Sequence, residues 1–283
     1  TANQFSFENP LYAIDSTTID LCLALFPWAK FRKRKGAIKL HTVLNVRSQI
    51  PELIVITDGK RGDVKELQAL DLTQFPKDSI LVFDRGYTDY AEFHRIREDK
   101  LIFVVRLKEK AQILRLEKRA ISAEEIALGV LKDERIAFVL PDALEAYPED
   151  LRLVTYHDKE HDVTYEFLTN NTAFSAKTIA DIYKSRWQIE LFFKWIKQHL
   201  KIKTFLGTSK NAVYTQIWVA MIYYLLLAWL KHQTRFRGSL LDLTRMIQEV
   251  PLEQASLINL LNLTPKNVTE LVKKKVPLDP QLF

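Results

Sequence analysis

The first 106 residues run through strand-length and helix-length patterns in a single order: strand, strand, strand, helix, strand, helix, strand. Residues 12–15 (YAID) read as the end of a strand, and 39–47 (KLHTVLNVR) alternate as its neighbour would. Residues 53–57 form a third run after Pro51. Residues 63–70 suit a short helix, 79–84 (SILVFD) an apolar strand closing on a carboxylate, 89–98 a second helix, and 101–106 (LIFVVR) a fifth strand. Such an order points to an α/β chain with a mixed sheet and helices on its faces. At residue 107 the pattern changes to a charged stretch, followed by β-rich runs at 135–140, 151–157 and 163–168, as an insertion would look. Helix returns at 175–203, with Ser175 as its cap, and again at about 214–234. From 239 onward two or three short amphipathic pieces are punctuated by Pro251, Pro265, Pro277 and Pro280. The expected division is therefore 1–106 and 170–235 as two parts of one core, 107–169 as a β-rich insertion, and 236–283 as a helical C-terminal segment.

Lys and Arg outnumber Asp and Glu by 41 to 35, a formal charge of +6 that favours a polyanionic partner. One cysteine, Cys22, rules out an internal disulfide framework and fits a reducing compartment; it is expected in the core. No secretory signal opens the chain, so the expected location is cytoplasmic. The most apolar stretch, 216–230, is about a quarter shorter than the roughly 20 residues that span a bilayer, so it reads as a buried helix and no membrane is expected. Thr1 stands where a start Met would be, and upstream residues are expected.

Asp15 (YAIDSTTI) and Asp84 (ILVFDRGY) each place a carboxylate where an apolar strand is expected to end and a loop to open. Taken singly, either is explained as well by a turn through the Ser, Thr or Gly that follows. A third element narrows the choice. In IYKSRWQIELFFKWIKQHLK, Tyr183, Arg186, Glu190 and Lys197 fall within roughly 60° of one another on a continuous helix. A solvated face or a simple Arg186–Glu190 pair is the ordinary reading of such a stripe. Here Trp187, Ile189, Leu191, Phe192, Trp195 and Ile196 surround it, and a largely buried helix needs a reason to keep polar groups. Trp187, Trp195, Trp218 and Trp229 are read as core.

These four residues match the Y-x2-R-x3-E-x6-K signature, and the chain resembles the DDE transposases of bacterial insertion sequences in the branch called insertion sequence family four. Asp15 (DST), residues 36–41 (GAIKLH) and 84–87 (DRGY) are similar to further motifs of that family. The resemblance implies a ribonuclease H-like core, in agreement with the strand order, with a β-rich insertion between the fifth strand and the glutamate helix. It implies that Asp15, Asp84 and Glu190 are catalytic and hold two divalent metal ions, Mg²⁺ with Mn²⁺ as substitute. Three carboxylates without histidine or thiolate suit such hard ions. It implies that Tyr183, Arg186 and Lys197 bind phosphates of the transposon end, which is cut and then joined to target DNA, by a homodimer on paired ends in the nucleoid. The family's N-terminal helical DNA-binding region has no counterpart in the dozen or so residues before Asp15.

The run 30–39 (KFRKRKGAIK) reads as a phosphate-tracking loop or as a solvated one; Lys33, Arg34 and Lys39 from it, and Arg85 beside Asp84, are candidate DNA contacts. Lys108, Lys110, Arg115, Lys118 and Arg119 form a second basic cluster, and base stacking by Trp28 is a further possibility. His157 and His161 flank a turn where helical ligand geometry is not expected, so no zinc site is assigned. The loop TDGKRGD, with Asp58 and Asp63, reads as structural or DNA-facing. Two alternatives stay open: a ribonuclease H-like nuclease without strand transfer, and an inactive DNA-binding relic.

Overall fold

The computed structural model describes residues 5–199 and 205–249. The chain divides into two compact units, Thr1–Trp218 and Val219–Phe283. In the first, β1 (Leu11–Leu21), β2 (Lys30–Arg32), β3 (Lys35–Asn45) and β4 (Ile50–Asp58) precede α1 (Asp63–Ala69), β5 (Ile80–Phe83), α2 (Tyr90–Glu98) and β6 (Ile102–Arg106). β1, β5 and β6 are parallel, while β3 runs antiparallel between β1 and β4. The order β4-β3-β1-β5-β6 is that of a ribonuclease H-like sheet. β5 is short and completely buried, as a central strand covered on both faces should be.

Asp15 does not end its strand. β1 runs on to Leu21 because β3 pairs with it along its length, from Tyr12 opposite Asn45 to Leu21 opposite Gly36. The partner on its other side stops sooner: β5 pairs only as far as Phe83 opposite Ile14. Asp15 is thus the first residue of β1 past the end of the parallel pairing, and Asp84 the first residue after β5. Both carboxylates stand at the carboxyl edge of the parallel strands, where open α/β sheets place their sites.

After β6 come β7 (Ile113–Lys118), α3 (Ala123–Ala127), β8 (Val130–Phe138), α4 (Pro141–Ala146), β9 (Leu151–Asp158) and β10 (Val163–Thr169). β10 pairs antiparallel with β6, and β9, β8 and β7 follow outward, so these residues extend the sheet. Their seam is tied by an almost fully buried pair, Arg152–Asp133, bidentate at 2.9 and 2.8 Å. Packing of α1 and α2 on one face buries Tyr12, Ile14, Phe83, Phe93 and Phe103 in a single core. Asp89 caps α2 by accepting from the Glu92 N–H at 3.3 Å. Asp89→Ala is expected to cost about 1 kcal/mol in urea unfolding, with the site's chemistry unchanged.

The helix expected over 175–203 is broken. α5 (Ala176–Ser185), capped by Ser175, and α6 (Trp187–His199) meet at Arg186, whose N–H bonds back to the Tyr183 carbonyl at 3.1 Å. This three-residue bond tightens the turn and changes the phase between Tyr183 and Glu190. It also turns Trp187 outward, 57% exposed rather than core. Trp195 is half-buried. Residues 200–203 of the expected helix lie outside the described residues, as do the pieces punctuated by Pro251, Pro265, Pro277 and Pro280.

The apolar helix is longer than its apolar run. α7 (Lys210–Gln233) has 24 residues and is long and apolar enough to cross a membrane by length and composition, a test that core helices also pass. Trp218 and Trp229, read as core, are 43% and 58% exposed on it. In the second unit α8 (Leu240–Glu249) starts where Ser239 and Asp242 cap each other reciprocally. Cys22 is exposed rather than buried because β1 ends at Leu21 and the chain turns there.

Candidate active site

Asp15 and Asp84 arrive on adjacent strands, and α6 crosses above β1 carrying Glu190. One guanidinium links the set: Arg186 donates from one Nη to Asp15 Oδ2 at 2.9 Å and from the other to Glu190 Oε1 at 2.6 Å. Arg186 and Asp15 are 15% and 19% exposed and Glu190 35%, so the bridge lies partly shielded from water. The local turns orient the acids. The Ser16 N–H donates to Asp15 Oδ1 and the Gly86 N–H to Asp84 Oδ1, each at 2.8 Å.

Burial pushes the Asp15 carboxyl up to about 6. The Ser16 N–H and Arg186 pull it down, while the charges of Asp84 and Glu190 push it further up. Asp84 and Glu190 therefore both lie near enough for their charges to reach Asp15. Burial alone would lower Arg186, but Tyr183, Asp15 and Glu190 raise it, so it stays a cation. Among the described residues its buried Nε has no hydrogen-bond partner. Tyr183 is raised, by burial first and also by Asp84, and its ring packs on Phe167 with centroids 4.6 Å apart.

An open groove of about 680 Å³ adjoins this cluster, lined among others by Asp84, Arg106, Tyr165, Tyr183, Arg186 and Trp187. Arg106 lies 5.8 Å from the Tyr165 ring centroid. Sequence reading missed Arg106, Tyr165 and Trp187 as lining groups; the alternation of Tyr165 and Phe167 along β10 was the available signal.

Lys197 does not join the cluster's charges. It lies towards the far end of β1, lowered by burial against the opposing effect of Asp20. Lys33 and Arg34 are exposed at the tip of the β2–β3 hairpin, which replaces the expected loop. Lys39 is half-buried in β3 and ion-paired to Asp63 at 2.8 Å. Arg85 pairs with Glu109 beside Asp84. In the second basic cluster, Arg115 pairs with Glu134 and Glu166, and Arg119 with Asp133. Trp28 donates its indole N–H to the Thr208 carbonyl at 2.7 Å.

Among the described residues, two groups bring three ligand atoms within 4.8 Å of one another: His94, Glu98 and Glu149, and Asp158, Glu160 and His161. In the first, Arg97 already bridges Glu98 and Glu149. In the second, His161 Nδ1 lies 3.0 Å from Asp158 Oδ2 within the β9–β10 turn. Asp15, Asp84 and Glu190 are not so close-set, since Arg186 lies between two of them.

Residues 6–226 match the family model described as the transposase DDE domain. The chain belongs to this family. It is 32% identical over 236 residues to a probable transposase for insertion sequence element IS5377 of Geobacillus stearothermophilus, covering 83% of this chain and 60% of the relative. It is 35% identical over 237 residues to a putative transposase, y4zB, of Sinorhizobium fredii, covering 84% and 65%. A putative transposase for insertion sequence element IS4SA of Synechocystis is 29% identical over 257 residues, covering 89% and 69%. This DDE chain thus spans less than two thirds of the length of the first two relatives. A solved piggyBac transposase synaptic complex with hairpin DNA aligns with a TM-score of 0.49 and 12% identity, covering 96% of this chain and 59% of that one. Divalent-metal use goes with membership of a DDE family.

Proposed function

We propose that this chain is the catalytic core of a DNA transposase, which cuts at transposon ends and joins the freed ends to target DNA. The observation that carries the reading is the convergence of Asp15, Asp84 and Glu190 at the carboxyl edge of the parallel strands, with Arg186 held between Asp15 and Glu190. The donor set is all oxygen and anionic, as hard divalent ions prefer. A buried carboxyl raised to about 6 is short of positive charge, and among the described residues its paired cation is Arg186. These residues fit two Mg²⁺ ions, with Mn²⁺ as substitute.

Asp15, Asp84 and Glu190 would hold the ions, which when bound supply Lewis acidity at the scissile phosphate and lower the pKa of water. The protein's own part is positioning. Arg186, released from one or both carboxylates, has donors free to take a phosphate oxygen bidentately. Tyr183 keeps its hydroxyl protonated at neutral pH and remains a donor beside Asp84. Arg106 and Trp187 on the groove provide a cation and an aromatic face for the strand. Lys33 and Arg34, free at their hairpin tip, suit phosphate contact further out. Lys197 would meet DNA at the Asp20 end of β1, away from the cut. Action as a homodimer on paired ends belongs to the same proposal.

The test is incubation of the full chain with end-bearing DNA and a target plasmid, with Mg²⁺ or Mn²⁺. Cut and joined products support the reading. Cutting without joining indicates the hydrolytic nuclease instead, and binding alone the inactive relic.

A further inference from the structure

We propose that Asp63 is a positioning residue for the two aspartates, tying together from behind the backbone segments that carry them, and that Lys39 is its counter-ion rather than a DNA contact. The inference rests on the catalytic reading of Asp15 and Asp84 given above.

Successive residues of a strand face opposite sides of a sheet. Asp15 faces α6 and Arg186, so Ser16 faces the other way, towards α1. The register sets His41 opposite Ser16 and Lys39 opposite Thr18, which puts both on the Ser16 face. Asp63 opens α1 on that face. Its Oδ1 accepts the Ser16 hydroxyl at 2.6 Å, lies 2.8 Å from the Lys39 ammonium and 3.7 Å from His41 Nδ1. His41 is fixed in turn by Thr57, 3.0 Å from its Nε2. Tyr87, three residues after Asp84, is 2% exposed, and its buried hydroxyl lies near enough to Asp63 and Asp15 for their charges to raise it beyond the effect of burial, though it makes no hydrogen bond among the described residues. One carboxylate thereby binds β1 and β3 together and lies in the neighbourhood of the Tyr87 hydroxyl on the turn that follows β5. Moving it would shift Ser16, whose N–H orients Asp15, and Tyr87, which closes the turn orienting Asp84.

Lys39 stands on the Ser16 face of the sheet, opposite the face on which Asp15 meets Arg186. Its ammonium is 15% exposed and also donates to the Arg61 carbonyl at 3.3 Å. Leaving Asp63 would strand a carboxylate that is 28% exposed.

The experiment compares wild type with Asp63→Asn, Asp63→Ala, Lys39→Met and Lys39→Arg in the full chain. Three quantities are read: Mn²⁺ binding without DNA by electron paramagnetic resonance, kcat and KM for cleavage, and DNA affinity against salt. Groups that orient metal ligands typically matter by about 10- to 100-fold. Asp63→Ala and Lys39→Met are each expected to weaken Mn²⁺ binding and lower kcat by about that factor, with KM for DNA and the salt slope unchanged. Lys39→Arg should restore most of the loss. If Lys39→Met instead weakens DNA binding and reduces the salt slope by about one, Lys39 is a phosphate contact and the proposal falls. It falls too if Mn²⁺ binding is unchanged in the Asp63 variants; should Asp63→Ala not fold, the isosteric Asp63→Asn decides. A wild type that binds Mn²⁺ but never cuts DNA would sink the transposase reading, while the Mn²⁺ comparison still decides this one.

Discussion

Asp84→Asn, Asp15→Asn and Glu190→Gln are each expected to bind end DNA and leave it uncut, with single-turnover cleavage slower by at least about 10³-fold. Each exchange keeps shape and removes one negative charge. Asp84 is the cleanest case, because its Oδ1 accepts from the Gly86 N–H and an amide oxygen accepts equally well, so the turn survives. What is lost is the anion, and a neutral amide is a poor substitute where hard cations must be held against phosphate repulsion. DNA affinity should stay level or rise, since a negative charge has left the neighbourhood of the backbone. Asp71→Asn, on an exposed turn, is the control and should cut normally. Cleavage within about tenfold of wild type by any one of the three variants would remove that residue from the catalytic set.

How much of this was legible in the sequence follows from how local each signal is. Asp84 was readable because a buried four-residue strand and a turn surround it, and both have short-range signatures in ILVFDRGY. Glu190 and Arg186 were readable because helical spacing makes them neighbours, and they do pair. The break at Arg186 was not, since no Gly or Pro marks it and a single tightened hydrogen bond makes it. The full length of β1 was hidden too: STTIDL carries a polar run that only pairing with β3 holds extended. Lys39 looked like a free cation within a basic run, and its partner lies on the helix after the next strand, beyond any local pattern. The same holds for Arg115 and Arg119, whose acids come from β8 and β10. Charge density is visible in sequence; the pairing that cancels it is tertiary.

Asp15→Asn is also expected to stabilise the fold, by up to about 3 kcal/mol at pH 7 to 8, in the absence of divalent metal. In the folded chain the Asp15 carboxyl is raised to about 6 from its ordinary value of 3.8, chiefly by burial. Between roughly pH 4 and pH 6 the native state keeps a proton that the unfolded chain has released, so stability falls as pH rises through that window and is level above it. Below pH 4 both states hold the proton and the penalty is gone. The asparagine cannot ionise, so the variant should lack this slope, matching wild type near pH 4 and exceeding it at pH 8. Arg186 still has Glu190 as partner, so the exchange strands no cation. Urea unfolding of both proteins at pH 4 and pH 8 measures the difference directly. Adding Mg²⁺ at pH 8 should narrow the gap by stabilising wild type more than the variant, because an ion bound to the native carboxylates favours the folded state. A stability difference of the same size at both pH values would mean that the asparagine acts through packing. The charge at Asp15 would then carry no folding penalty for a metal ion to relieve.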